Sequence, residues 1–262
     1  YELIYKRDFL DNEDHTLIFS ATGNLFTKEQ SSNFENETVV GSSTFNDQKT
    51  KTDFGRISHT VKLDYVKPFH DKWEIEMGAQ VTDNDLSNDF EVQDFTDGIW
   101  VFNQGFTNVF DFRQKVFGLY GTVSFESDKW GIKLGLRREH TNTETNLVNS
   151  NLSNSRNFAD LFPTLHSSFK LIKKLSLQLG YSRRIYRPSL WQLNPFINIR
   201  NNFNISAGNP DLKPEYSDSF ELAAIYNTSG LSINCGIYQL NTIEKITYVT
   251  SLENNISKRS PE

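Results

Sequence analysis

The side chains able to do bond chemistry are few and scattered. His15, His59, His70, His140 and His166 stand far apart. No HExxH metal-and-base spacing, GxSxG nucleophile turn or Gly-rich phosphate loop occurs. Glu139 and His140 adjoin, but neighbours on a strand point to opposite faces, so they make no natural dyad. Cys235 is the lone cysteine, which leaves no disulfide framework and no cysteine metal cluster. Residues 83–97 carry Asp83, Asp85, Asp89, Glu91, Asp94 and Asp97. Asp83-x-Asp85 begins like a calcium loop, but the required Gly and terminal Glu spacing fail, so a solvated acidic loop is expected. The expectation is a protein without catalytic residues, bound metal or cofactor. The side chains left for recognition are the loop aromatics Trp100, Phe102, Phe106 and Trp191, which can stack on a sugar or an apolar ligand and can equally pack a loop core.

The elements that position these residues follow from a period of two. Leu17, Phe19, Ala21, Gly23 and Leu25 alternate with polar neighbours; so do Trp73, Ile75, Met77, Ala79 and Val81, then Trp130, Ile132, Leu134 and Leu136, then Leu175, Leu177, Leu179 and Tyr181. Strict alternation means strands with one apolar and one polar face. No segment combines helical periodicity with caps. Such runs predict about ten strands with cores near the ~9–11 residues that cross a bilayer at a tilt. The expected spans are 1–10, 15–27, 51–67, 72–83, 109–126, 129–145, 158–172, 174–187, 215–227 and 230–250.

The connections alternate in length. Residues 11–14, 68–71, 127–128, about 173 and 228–229 are tight turns, whereas 28–50, 84–108, 146–157 and 188–214 are long loops. In an up-and-down sheet all short turns fall on one rim and all long loops on the other, as in outer-membrane barrels. Tyr65, Phe69, Trp73, Phe125 and Trp130 then gather near the short-turn rim, where an aromatic girdle belongs. The polar face carries Lys62, Asp64, Glu74, Glu76, Lys133, Arg137, Glu139, Arg184 and Glu221, a hydrated wall of mixed charge.

Composition agrees with a β-barrel. Of 262 residues, 37% are hydrophobic and 23% charged, and Phe and Tyr number 21 and 10 against one Met. No run of ~18 apolar residues exists, so a transmembrane helix is excluded while a barrel is not. The net charge of −6 argues against nucleic acid as a partner. The chain starts inside a strand-like pattern and ends without a closing element, and so reads as a piece of a longer protein.

Several segments resemble one family. Gly135-Leu136-Arg137-Arg138-Glu139, Leu161-Phe162-Pro163-Thr164-Leu165, Tyr181 to Ser189 (including Arg184, Arg187 and Pro188), Leu193-Asn194-Pro195-Phe196 and Gly208-Asn209-Pro210-Asp211-Leu212-Lys213-Pro214-Glu215 occur in that order. They resemble the GlR-x-E, lFPsl, YSRRIxRPS, LNPF and GNPxLKPE segments of TonB-dependent outer-membrane receptors of the Bacteroidota type. Asp64-Tyr65, Pro68, Trp73 to Glu76 and Gly78 are similar to that family's first hairpin motif. The resemblance covers roughly 60 to 241. It implies an all-β, antiparallel up-and-down transmembrane barrel segment: 1–262 would be one domain supplying about ten strands of a ~22-stranded barrel, with plug and closing strand absent. It also implies nutrient uptake across the Gram-negative outer membrane. The ligand class stays open among siderophore, cobalamin, glycan and peptide. The implied partners are outer-membrane lipid, the parent's plug, the TonB complex and a surface lipoprotein.

The motif loop has a simpler structural reading. Pro188, Pro195, Pro210 and Pro214 fix φ and block strand pairing, so Gly208 to Glu215 reads as re-entry from loop to wall; direct ligand contact by Lys213 or Glu215 is the sharper alternative. For the whole chain the alternatives are a soluble β-rich carbohydrate- or ligand-binding module and an independent ten-stranded barrel. The direction in which the apolar stripe faces separates membrane wall from soluble module.

Overall fold

The structure is a computed structural model that describes residues 1–10, 12, 14–40, 46–196, 198–201, 204–253 and 256–262. Asp11 and Glu13 of the first expected turn, and 41–45 of the first long loop, lie outside the described residues.

Each alternating run forms a strand. In chain order these are β1 (Glu2–Asp8), β2 (Thr16–Phe34), β3 (Gln48–Phe69), β4 (Trp73–Thr96), β5 (Ile99–Phe102), β6 (Asn108–Glu126), β7 (Trp130–Leu147), β8 (Leu152–Ile172) and β9 (Leu175–Tyr186). There follow a one-turn helix α1 (Leu190–Leu193), β10 (Asn198–Asn201), β11 (Asn204–Ser206), β12 (Glu215–Asn227), β13 (Ser232–Ile243), β14 (Tyr248–Glu253) and β15 (Ile256–Pro261). The order β1-β2-β3-β4-β6-β7-β8-β9-β12-β13 is an antiparallel meander, with β5 paired to β4. β1 and β13 lie at the two ends of this sheet, which is not closed into a barrel. The meander puts the connections after β2, β4, β7 and β9 on one rim, the predicted long-loop rim, and the tight turns on the other.

The register sorts the two faces. Leu17, Tyr65, Met77, Gly121, Leu136 and Pro163 form one cross-strand row, and Trp73 pairs with Phe125. This face keeps its apolar side chains uncovered: Leu134 and Leu136 are 53% and 52% exposed, and Trp73 44%. A soluble sandwich buries its apolar face; a barrel wall turns it to lipid, whose hydrocarbon rewards it. Trp73 packs on Phe125 at 4.8 Å and Trp130 on Phe169 at 4.3 Å, forming a row of rings beside the tight turns. On β4 and β6 the apolar rows end at Val81 and Phe117, and the next outward pair, Asp83 and Lys115, is charged. There, above the apolar band, Arg113 at 3.0 Å holds the Asp83 carboxyl below the usual carboxylate range.

Three expectations need correction, besides the lengths of two loops: β2 runs to Phe34 and β3 starts at Gln48 within the expected loop 28–50, and β7 and β8 leave only 148–151 of 146–157 as their connection. The acidic stretch 83–97 is a strand up to Thr96, not a loop. Its inward row, Leu86, Asn88, Phe90 and Val92, supplies the packing, while the acids mostly alternate outward into water. Second, the last strand does not run to 250. β13 stops at Ile243, and Glu244 takes a positive φ of 53°. Third, part of 188–214 is ordered: α1 forms, and β10, β11, β15 and β14 make a second, four-stranded sheet on the long-loop rim. α1 escapes detection by periodicity because one turn has none. Its Ser189 and Gln192 form a reciprocal capping box, which fixes the turn locally.

Candidate functional site

The polar face carries a cross-strand ladder of charge. All nine of its predicted residues point to this face in the observed register. Lys62 pairs with Asp64 at 2.9 Å, and Lys133 with Glu76 at 2.6 Å. The Tyr120 hydroxyl donates to Asp64 two strands away, and its ring lies across Gly78 on the strand between. A Cβ on Gly78 would collide with that ring, so the glycine is a slot for the tyrosine. Arg137 lies over the other side of this junction, 5.0 Å from the Tyr120 ring, and donates to Glu139.

Glu139 joins wall to loop. It accepts from Arg137 on its own strand and from Arg187 at the end of β9, and Arg187 also donates to the Thr141 hydroxyl at 3.0 Å. Thr141 is fully buried and Glu139 nearly so. Two arginines on one carboxylate satisfy charges that this depth would otherwise punish. The structure thus brings together Arg137, Glu139 and Arg187; Arg184 faces the same side without joining them.

The loop beyond Arg187 folds inward over the wall. Leu190, Leu193 and Leu212 pack with Phe110, Phe112 and Leu147, all buried. Gly208 and Asn209 donate their backbone N–H to the carbonyls of Asn194 and Gln192, each at 2.7 Å. The GNP segment therefore closes the carbonyl end of α1. A Cβ at Gly208 would lie 2.6 Å from both carbonyl oxygens, so no larger residue fits. Asn209 turns the chain by accepting from the Asp211 amide at 2.9 Å, with Pro210 between. Arg156 of β8 donates to the Leu212 carbonyl and reaches Asp211 at 3.3 Å. Lys213 meets Glu244 at 3.4 Å, and Glu215 accepts the Ile246 amide at 2.7 Å. Pro188 precedes α1, Asn194 accepts the Phe196 amide at 3.0 Å across Pro195, and Pro214 precedes β12. Each of these motif residues thus has a partner or a turn position within the fold. Gly208→Ala is accordingly expected to cost about 1–3 kcal/mol by overpacking, read as faster proteolysis between 188 and 214 at unchanged barrel assembly.

The loop aromatics separate. Trp191 stacks on Phe54 at 5.6 Å on the inner face. Phe106 packs against buried Phe90 and Val92. Trp100 sits on the β4–β5 hairpin, 5.1 Å from Phe95 and 3.9 Å from the Lys49 ammonium, and Phe102 is exposed on the same hairpin. They form no common platform. Around Trp191 and Phe90, however, two cavities of about 390 and 560 Å3 open on the inner side of the long-loop rim. Sequence reading missed Tyr120, Arg156, Asn88 and Asn108, whose partners lie across strands and become visible only with the register. No group of three or more His, Cys, Asp or Glu side chains able to hold a metal ion occurs among the described residues.

An open, lipid-facing antiparallel meander with a charged inner face and a loop-built mouth defines the wall of an outer-membrane β-barrel. Residues 8–262 match the outer membrane protein beta-barrel family, and the chain belongs to it. That places the protein in the outer membrane of a Gram-negative cell. No curated protein matches the chain. Among solved structures it resembles the copper transporter OprC (13% identity, TM-score 0.69, 99% of this chain and 40% of that one). It also resembles the unliganded ferric citrate transporter FecA (12%, 0.62, 92% and 34%). A third likeness is to BauA, the ferric preacinetobactin receptor of Acinetobacter baumannii (16%, 0.57, 98% and 39%). At these identities the likeness is one of fold. The chain spans well under half the length of each.

Proposed function

We propose that residues 1–262 are a single barrel-wall domain of a longer TonB-dependent receptor that imports a scarce nutrient. The observation that carries this reading is the inner face, where the charges form a fixed ladder from Lys62 to Arg187 while the outer face stays apolar. A wall of that kind encloses a hydrated lumen, and in this reading the parent's plug sits inside it. The sequence motifs of the TonB-dependent receptors fall on its Arg137–Glu139–Arg187 junction and on the loop that the junction anchors. The proteins it resembles in fold are a ferric citrate transporter, a copper transporter and a ferric preacinetobactin receptor, which makes uptake the natural activity class. The barrel does no bond chemistry in this reading. It contacts lipid outside and the parent's plug inside, and it works with the TonB complex and a surface lipoprotein through the parent chain.

The test is uptake by cells that carry the parent gene as their one receptor for a growth-limiting nutrient, screened across iron chelates, cobalamin, glycans and peptides. Accumulation that stops when the proton motive force is collapsed supports the reading. Accumulation that persists unenergised, or none with any nutrient, contradicts it. Tyr120→Phe in that parent removes one hydrogen bond to a carboxylate and is expected to cost about 1.5–3 kcal/mol of barrel stability while sparing the position of the ring over Gly78. Heat resistance of the barrel on a gel reads it.

A further inference from the structure

The upper wall sorts its charges by face. On β2, β3 and β4 the acids Glu29, Asp53, Asp85 and Asp89 take outward positions, whereas Lys28 and Arg56 take inward ones. Between the Lys62–Asp64 pair and Asp94, no inward position of these three strands holds a carboxylate. Lys28 is opposite Phe54 and Arg56 is opposite Phe26, so two cations and two rings alternate on one strand pair. Elsewhere on the inner face Lys62, Lys133, Arg137 and Arg187 each hold a carboxylate. Lys28 and Arg56 are exposed and hold none among the described residues. The Arg56 guanidinium lies 6.0 Å over the Phe26 ring instead.

These groups meet at the mouth. Phe26, Lys28, Phe54 and Trp191 line the cavity of about 560 Å3. Trp191 also lines the cavity of about 390 Å3, whose one charged side chain among the described lining residues is Arg259. Neither cavity has a described acid in its lining. Cations of one sign in a walled cleft focus their field and concentrate the opposite ion. A metal ion or an ammonium would meet this field with no carboxylate to offset it, and a neutral molecule would leave the cations unpaired. An anion pairs them. The rings add a second demand, because a flat conjugated body stacks on an aromatic side chain, and Trp191 is half exposed where it rests on Phe54. Charge and ring are what this site reads; no group of three or more His, Cys, Asp or Glu able to hold a metal occurs among the described residues.

We propose that the mouth beside Trp191 is a subsite for an organic anion with acid groups on a conjugated ring, with Lys28 and Arg56 donating to those acid groups and Trp191 stacking on the ring. This inference rests on the transport reading and assigns the charge class of its substrate.

The test is calorimetric titration of the full-length receptor, purified in a non-ionic detergent at low salt, with metal-free benzene-1,3,5-tricarboxylate. The neutral control is benzene-1,3,5-tricarboxamide, which keeps the ring and removes the charge. Wild type is expected to bind the tricarboxylate about tenfold or more tightly than the amide, and to lose that preference as salt rises. The double variant Lys28→Gln with Arg56→Gln is expected to bind the tricarboxylate about tenfold more weakly and the amide unchanged. It should melt at the wild-type temperature without ligand, because neither cation has an anionic partner to lose. Should it fail to assemble, Lys28→Gln decides alone, since Lys28 is exposed: a clear loss for the tricarboxylate supports the subsite and no loss overturns it. A lower melting temperature of the assembled double variant would mean that acids of the parent's plug already pair the cations, and would overturn the proposal. Equal binding of acid and amide, or of neither, while energised uptake of some nutrient proceeds, sinks the subsite and leaves the transport reading standing. If the tricarboxylate binds through these residues but cells accumulate no nutrient, the transport reading fails instead.

Discussion

Replacing Glu139 by alanine is expected to cost about 3–5 kcal/mol and to release the loop that begins at Arg187. The carboxylate accepts from Arg137 and Arg187, whose side chains are 27% and 17% exposed. Its removal leaves two part-buried guanidiniums facing each other with no anion between them. Both pair losses fall on one residue, so the effect should exceed that of Arg187→Ala, which still leaves Glu139 its bond to Arg137. In Glu139→Ala the loop loses its tether to Glu139 and keeps only the Arg187–Thr141 hydrogen bond there, together with the leucine cluster of α1 and Leu212. The expected readout is protease cleavage between 188 and 214 together with reduced heat resistance of the full-length barrel. Equal stability of Glu139→Ala and wild type would remove the junction from the account.

The second large effect is expected at Leu134. It lies in the middle of the outward row of β7, with Val123 on one side and Leu165 on the other. Arginine there places a charge in hydrocarbon, at about 2–4 kcal/mol. The adjacent Lys133 points the other way and holds Glu76 at 2.6 Å. Lys133→Gln exchanges an exposed ion pair for an amide in a wet lumen, worth ~1 kcal/mol or less. The full-length Leu134→Arg protein should assemble poorly and lose heat resistance, and Lys133→Gln should differ little from wild type. The contrast between two neighbouring residues matters more than either value.

How far the sequence alone reaches depends on where a strand runs. Within the bilayer the outer row must be apolar, so Trp73 to Val81 or Trp130 to Leu136 is legible at once. Above the bilayer that demand ends. Outward positions on β4 become Asp83, Asp85 and Asp89, and the strand hides behind its charges, although the inward row Leu86, Asn88, Phe90 and Val92 keeps the period of two. Asp97-Gly98, both at positive φ (51° and 81°), is the two-residue turn that ends β4 and starts β5, a hairpin signal placed inside a stretch expected to be loop.

The site was legible to a different degree. The residue types on the inner face follow from parity, and the motif segments mark Arg137, Glu139 and Arg187. What parity does not show is who meets whom. Tyr120 reaches Asp64 only because Gly78 sits between them in register, and Arg187 meets Glu139 only because β9 ends where its next residue can reach β7 across the intervening β8. The small second sheet is illegible for a plainer reason. β10, β11, β14 and β15 have six residues or fewer, are rich in Asn and Ser, and are ordered by pairing across 198–261 rather than by local pattern.

The central claim is that the apolar stripe faces lipid and the charged stripe faces a lumen. It is tested most directly by single cysteines at 133 and 134 in the full-length protein in outer membranes, with the native Cys235 replaced by serine. A lipid-soluble thiol probe should label position 134 and a membrane-impermeant, water-soluble one position 133. Labelling of 133 rather than 134 from the lipid phase would reverse the assignment of faces, and labelling of neither from that phase would contradict a membrane wall altogether.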